Sequence, residues 1–171
     1  VTRAEATSLA SLAALARLLG RLLAGSGLTV SVAESCTGGM VGAGITGIAG
    51  SSAYFKGGVI AYSNEVKRRL LCVPARVLQS KGAVSAETVA AMAAGAQRLF
   101  NSDCAISVSG IAGPGGGTKE KPVGLVYVGI AAGNNVRSFE YRFRGSRREI
   151  RMQTVRAALK RMIEDVTKLK K

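Results

Sequence analysis

The chain has 171 residues, of which 47% are hydrophobic and 5% aromatic, with no tryptophan and a formal net charge of +14. A chain of this length buries about 70% of its unfolded surface, so it is expected to form one domain, 1–171, around a core of Ala, Val, Ile and Leu. Histidine is absent, which excludes Ser-His-Asp and Cys-His catalysis and any histidine-containing zinc site. A general base must then be Lys, Asp, Glu, Tyr or a deprotonated Cys. No apolar run has the length of a membrane span and no signal peptide is evident. The three cysteines, at 36, 72 and 104, have no metal-ligand spacing. They read as reduced thiols of a cytoplasmic protein with no membrane partner.

Residues 3–24 read as a helix with Leu12, Leu15, Ala16, Leu19, Leu22 and Leu23 on one face. Residues 28–33 are a β-branched run, expected as a buried strand. It runs into the turn Ala33-Glu34-Ser35-Cys36-Thr37-Gly38-Gly39 and then a Gly-rich helix, about 38–48. Strand 57–63 leads into helix 64–71, which Asn64 can cap. Pro74 opens a short helix to about 79. A longer one from Ser85 to about Phe100 turns Val89, Met92, Ala93, Ala96 and Leu99 or Phe100 inward. Residues 104–109 form a strand that empties into the Gly-rich loop 110–118. Strands 123–132 and 136–143 flank Gly133-Asn134-Asn135, a hairpin signal. Ser146 and Glu149 form a capping box that opens a last helix to about 167. Strands alternating with helices, plus one hairpin, imply an α/β fold: a layered α/β/α domain with a mixed β-sheet and an N-terminal amphipathic helix.

Half of the 24 Lys and Arg residues lie between Arg137 and Lys171. This fits a solvated helix face, a site for phosphorylated small molecules or a nucleic-acid surface. Nucleic acid is the less favoured partner, because Tyr141 and Phe143, the aromatics among these arginines, are explained equally by core packing.

Three features fall at strand ends: the Ser35 turn, Tyr62-Ser63-Asn64 with Lys67, and loop 110–118. In open α/β sheets such loops can meet in one crevice. The Gly-rich loop lacks the Gly-Lys-Ser/Thr ending of a phosphate loop. It serves as an anion cradle or as a plain connection, and composition leaves both open. Without histidine, an activated nucleophile needs a lysine, and Ser35 with Lys67 would supply a Ser-Lys pair. Lys67 also reads as a solvated charge on a short helix. Cys36 has no evident base and is expected as a small buried residue.

Ala33–Gly39, Gly58–Lys67, Gly82–Ser85, Ser109–Thr118 and Lys121–Gly124, in this order, closely resemble the CinA C-terminal domain family. This is the competence/damage-inducible protein family, whose active members are nicotinamide-nucleotide amidohydrolases. The resemblance covers about 5–165. It implies hydrolysis of nicotinamide mononucleotide to nicotinate mononucleotide and ammonia in pyridine-nucleotide salvage, at a Ser-Lys site without metal or cofactor. Ser35 and Lys67 match its catalytic positions. Tyr62, Ser63 and Asn64 would position substrate. The N–H groups of Thr37, Gly38 and Gly39 would meet an anion or oxyanion. Ser109, Gly110 and Gly113 would form a further wall, and Arg147 and Arg151 would grip the ribose phosphate. Many members carry an additional N-terminal domain for which this chain has no room. The alternative is a non-catalytic competence- or damage-associated protein that binds nucleic acid through its basic region. A homo-oligomer is a further expectation, from the amphipathic N-terminal helix.

Overall fold

The computed structural model describes residues 3–169. In chain order they form α1 (Arg3–Ala24), β1 (Val30–Glu34), α2 (Met40–Thr46), a 3-10 turn (Ser51–Ala53), β2 (Phe55–Ile60), α3 (Asn64–Leu71), α4 (Ala75–Ser80), α5 (Ala86–Phe100), β3 (Cys104–Gly110), β4 (Leu125–Ala132), β5 (Asn135–Arg142) and α6 (Arg147–Leu169). The strands make one mixed sheet in the order β2-β1-β3-β4-β5. β1 runs parallel to β2 and β3, and β4 runs antiparallel to β3 and β5.

Both faces of the sheet are covered. On one face Val30, Val32, Ile106, Val108, Val128 and Ile130 pack with Leu19 and Leu23 of α1, Val41 and Ile45 of α2, and Val155, Leu159 and Met162 of α6. The other face carries small residues, among them Ala33, Ala105 and Ala131, beneath Met92, Ala93 and Ala96 of α5. Small side chains let α5 lie close to the strands. The Ser107 hydroxyl donates to the Val89 carbonyl of that helix at 2.5 Å.

Several boundaries differ from the sequence reading, for local reasons. β1 runs 30–34 rather than 28–33. α2 starts at Met40 because Gly38 and Gly39 have φ of +57° and +96°, left-handed values that interrupt a helix. β2 ends at Ile60, so Ala61, Tyr62 and Ser63 form a connection rather than strand. Ser63, not Asn64, caps α3, with its hydroxyl accepting the Val66 N–H at 3.2 Å. Leu99 is 49% exposed, and Phe100 is the half-buried member of that pair. The capping box at α6 forms as expected: the Ser146 N–H donates to Glu149 Oε2 at 2.7 Å, and the Glu149 N–H donates back to Ser146 Oγ at 3.4 Å.

Register brings the functional loops to one edge. Glu34 pairs with Ile60 and Val108, and Gly110 pairs with Val126, next to the start of β4. The chain leaves β1 for β2 on one side while β3 lies on the other. The crevice above β1 and β3 is therefore the switch point where open α/β sheets bind ligands.

Candidate active site

The turn after β1 carries the first functional group. Alternation along the strand sends Glu34 to the α2 face and Ser35 to the opposite face, where α3 lies. The Ser35 N–H donates to the Val108 carbonyl at 3.0 Å, which fixes the residue between β1 and β3. A pocket of about 200 Å³ opens there, lined by Ser35, Cys36, Tyr62, Lys67, Ala83, Val84, Ser109, Gly110, Ala112 and Arg147.

Lys67, on α3, is only 1% exposed. Its Nζ lies 2.7 Å from the Ala61 carbonyl oxygen, 3.3 Å from that of Tyr62 and 3.3 Å from Ser35 Oγ. Burial holds the amine below the ordinary lysine range, opposed only by the neighbouring Cys36. The contact set defines how a neutral amine sits. It has two N–H bonds and one lone pair, and a carbonyl oxygen can only accept. Both hydrogens go to Ala61 and Tyr62, which leaves the lone pair for the hydroxyl hydrogen of Ser35. The arrangement can therefore draw a proton from a serine hydroxyl, the task a histidine would perform elsewhere.

Cys36 lines the pocket but is poorly suited to attack. It is buried, and burial pushes its thiol up to about 12. A thiol in that range carries little thiolate, the nucleophilic form.

The residues expected to surround this pair divide into two groups. Tyr62, Ser109, Gly110 and Arg147 line the pocket with Ser35 and Lys67. The Ser109 hydroxyl donates to the Ala83 carbonyl at 2.7 Å and so pins the opposite wall. Arg147 donates through one amino group to the Gly113 carbonyl at 2.8 Å and through the other to the Tyr62 hydroxyl at 3.3 Å. Both acceptors are neutral, so among the described residues its charge stands at the pocket wall without a carboxylate on it. Thr37, Gly38, Gly39, Ser63, Asn64, Gly113 and Arg151 do not line the pocket. The Gly38 N–H is committed to the Ser35 carbonyl at 3.1 Å and the Gly39 N–H to Glu34 Oε2 at 3.0 Å. Neither is free for an anion, because the turn uses them to close on itself. Ser63 is a helix cap. Arg151 donates to the Thr37 carbonyl at 2.6 Å and braces the turn from behind.

Among the described residues the Cys36 N–H makes no backbone hydrogen bond to another residue and meets its own sulfur. Cys36 follows Ser35 directly in the pocket wall, where an oxyanion would need a donor, whereas Thr37 is fully buried and outside the pocket. Glu34, Ala83 and Val84 were not named as site residues, although they lie in the Ala33–Gly39 and Gly82–Ser85 motifs that carry the resemblance. An acid at a strand end shortly before a Gly-Gly helix start was the further signal for Glu34. Ala83 and Val84 enter the wall through tertiary placement.

The CinA C-terminal domain model matches residues 12–166. The CinA-like protein of Endomicrobium trichonymphae is 56% identical over 145 residues, which cover 85% of this chain and 34% of that protein. The CinA-like protein of Parasynechococcus marenigrum is 53% identical over 150 residues, 86% of this chain and 36% of that one. The chain thus spans about a third of the length of these curated relatives. The crystal structure of competence/damage inducible protein CihA from Agrobacterium tumefaciens matches with a TM-score of 0.88 at 46% identity, over 90% of this chain and 94% of that one. The competence damage-inducible protein A of Klebsiella pneumoniae matches with a TM-score of 0.88 at 33% identity, over 91% and 97%. A family match across nearly the whole chain and a shared mixed sheet lead to one conclusion: the chain belongs to the CinA C-terminal domain family.

Proposed function

We propose that this chain is an amidohydrolase that converts nicotinamide mononucleotide to nicotinate mononucleotide and ammonia. The observation that carries the chemistry is the buried Lys67 amine, held by two carbonyls with its third contact 3.3 Å away at Ser35 Oγ. The choice of substrate rests on the resemblance to a family whose active members are nicotinamide-nucleotide amidohydrolases. It agrees with a pocket of about 200 Å³, suited to a pyridine carboxamide, with an arginine in its wall for the ribose phosphate.

Ser35 Oγ attacks the carboxamide carbon as Lys67 Nζ takes its proton. The carbonyl oxygen gains the negative charge and is received by the Cys36 N–H. Lys67 returns the proton to the amide nitrogen, the C–N bond breaks, and ammonia leaves an ester on Ser35. A water then gives its proton to Lys67 and attacks the ester carbon. That proton passes to Ser35 Oγ as the ester bond breaks, and the acid and ammonia part as carboxylate and ammonium.

A nucleic-acid reading of the basic region has less support. Arg137 pairs with Asp165, Arg142 with Glu140, and Arg161 with Glu164. The Arg161 guanidinium also lies 4.3 Å from the centre of the Phe139 ring. The test is direct: incubate the purified chain with nicotinamide mononucleotide and measure ammonia and nicotinate mononucleotide. Absence of turnover, or a Ser35→Ala variant as active as the parent, refutes the proposal.

A further inference from the structure

The steps above make no use of Glu34, the last residue of β1, although its side chain is 1% exposed and sits directly before the nucleophile. Its Oε2 accepts the Thr37 hydroxyl at 2.6 Å and the N–H groups of Gly39 and Val41 at 3.0 Å each. Its Oε1 accepts the Gly42 N–H at 2.8 Å. Three of these partners are backbone N–H groups, which can only donate, so the side chain meets them as an acceptor. These are the orphan donors of the first turn of α2. Elsewhere such donors await a ligand, but here the chain's own side chain occupies them.

Thr37 is the link from that anchor to the chemistry. It is fully buried, its hydroxyl is held by Glu34, and its carbonyl accepts Arg151 at 2.6 Å. On its other side, Ser35 is tied to Val108 and Gly38 to Ser35. The backbone from 35 to 38 is thereby fixed at each end and at Thr37. This bracing holds the turn that carries Cys36, which lines the pocket beside Ser35. We infer that Glu34 is a positioning residue for the reaction, acting through Thr37 to hold the turn that presents the Cys36 N–H to the developing oxyanion. The inference rests on the Ser35 chemistry proposed above.

Because the oxyanion exists only after attack, a defect in its donors acts on turnover and not on ground-state affinity. In Glu34→Gln an amide nitrogen replaces one oxygen of the same shape, and it must face either the Gly42 N–H or the Oε2 cluster. That variant is expected to lose about 10²–10³-fold in kcat, the cost of one misplaced oxyanion donor, with KM within about threefold. Glu34→Asp keeps the carboxylate on a shorter arm and falls between the two. Thr37→Val cuts the link and reproduces the Gln signature, while Thr37→Ser restores activity.

A second readout does not depend on the amide substrate. Pyridine-3-boronic acid forms a B–O bond with Ser35 Oγ as the serine proton passes to Lys67; nothing leaves, and the tetrahedral boronate places an oxygen at the oxyanion position. The parent should bind it and Ser35→Ala should not. Glu34→Gln should bind it about tenfold or more weakly, with nicotinate mononucleotide affinity within about threefold. A folded Glu34→Gln variant with parental kcat and boronate affinity overturns the inference. So does equal loss of boronate and product binding, or a failure of both Glu34 variants to fold, since each is the mark of a structural role alone. If the parent binds boronate through Ser35 but does not deamidate, a weaker Glu34→Gln still upholds the inference while the substrate assignment fails. If the parent binds no boronate, both fail.

Discussion

Gly95→Ala tests whether packing remote from the pocket sets the Ser35–Lys67 distance. A Cβ at Gly95, on α5, would lie 2.8 Å from the Leu71 carbonyl carbon and 2.9 Å from its Cα, and nearer still to its oxygen. Carbon atoms in comfortable contact stand about 3.5–4.0 Å apart, so α3 must withdraw by roughly 1 Å. The atoms in the way belong to backbone, and no rotamer change relieves them. In a solvated helix this substitution would gain about 1 kcal/mol from propensity. Overpacking costs about 1–3 kcal/mol, which leaves a net loss of up to about 2 kcal/mol and lowers Tm by up to about 8 °C. The functional effect is larger. Lys67 lies one helical turn before Leu71, and a displacement of its amine opens the 3.3 Å separation from Ser35 Oγ. A misplacement of about 1 Å can cost about 100-fold in turnover. Calorimetry and an ammonia-release assay on the same preparation measure both. A Gly95→Ala protein as stable as the parent with unchanged kcat refutes the reasoning.

Lys67 gives two pH signatures. With its amine held below the ordinary lysine range, the unfolded chain binds a proton that the native state releases. Between the native and the unfolded value, the parent therefore gains stability relative to Lys67→Met as pH rises; urea midpoints that diverge the other way, or run parallel, contradict this. By the same shift, kcat/KM rises along an acid limb that ends below the ordinary lysine range, read from a pH–rate profile. Arg147→Ala should raise KM for nicotinamide mononucleotide about tenfold or more with a smaller change in kcat, and should erase the preference over the phosphate-free riboside in steady-state kinetics. Cys72 is exposed, whereas Cys36 and Cys104 are buried with thiols pushed up to about 12. Iodoacetamide near neutral pH should therefore label Cys72 alone, by mass spectrometry, and Cys36→Ala should keep turnover.

Local chemistry made much of this architecture readable. The apolar stripe of α1, the helix over 64–71 (though not its Ser63 cap), the Ser146/Glu149 box and the Gly133–Asn134 hairpin each depend on residues a few positions apart. The convergence of three loops followed from a rule about strand ends rather than from any one residue. What escaped is governed by tertiary geometry. The Gly38 and Gly39 N–H groups looked available because glycine turns often are, but the Glu34 carboxylate and the Ser35 carbonyl already take them. Arg151 looked like a twin of Arg147, one helical turn away. The helix turns it toward the Thr37 carbonyl and leaves only Arg147 in the pocket wall. Spacing along a helix reports which residues share a face; it does not report what that face meets.

These distinctions divide the site between two parts of the chain. In the proposed reaction the nucleophile and its base come from the turn after β1 and from α3, within the first 71 residues, while Val108 of β3 and Arg151 of α6 help to brace that turn. The cation in the pocket wall, unneutralised among the described residues, is Arg147 in the first turn of α6, after the β4–β5 hairpin, held by Gly113 and Tyr62. Occupation of the α2 N-terminus by Glu34 enforces this division, since it removes the nearest helix end as a phosphate site. In the proposed reaction, charge recognition then falls to Arg147 of α6. Under the proposed reaction, a cation there can fix the anionic end of a substrate while keeping that negative charge away from Lys67, where it would hold the amine protonated.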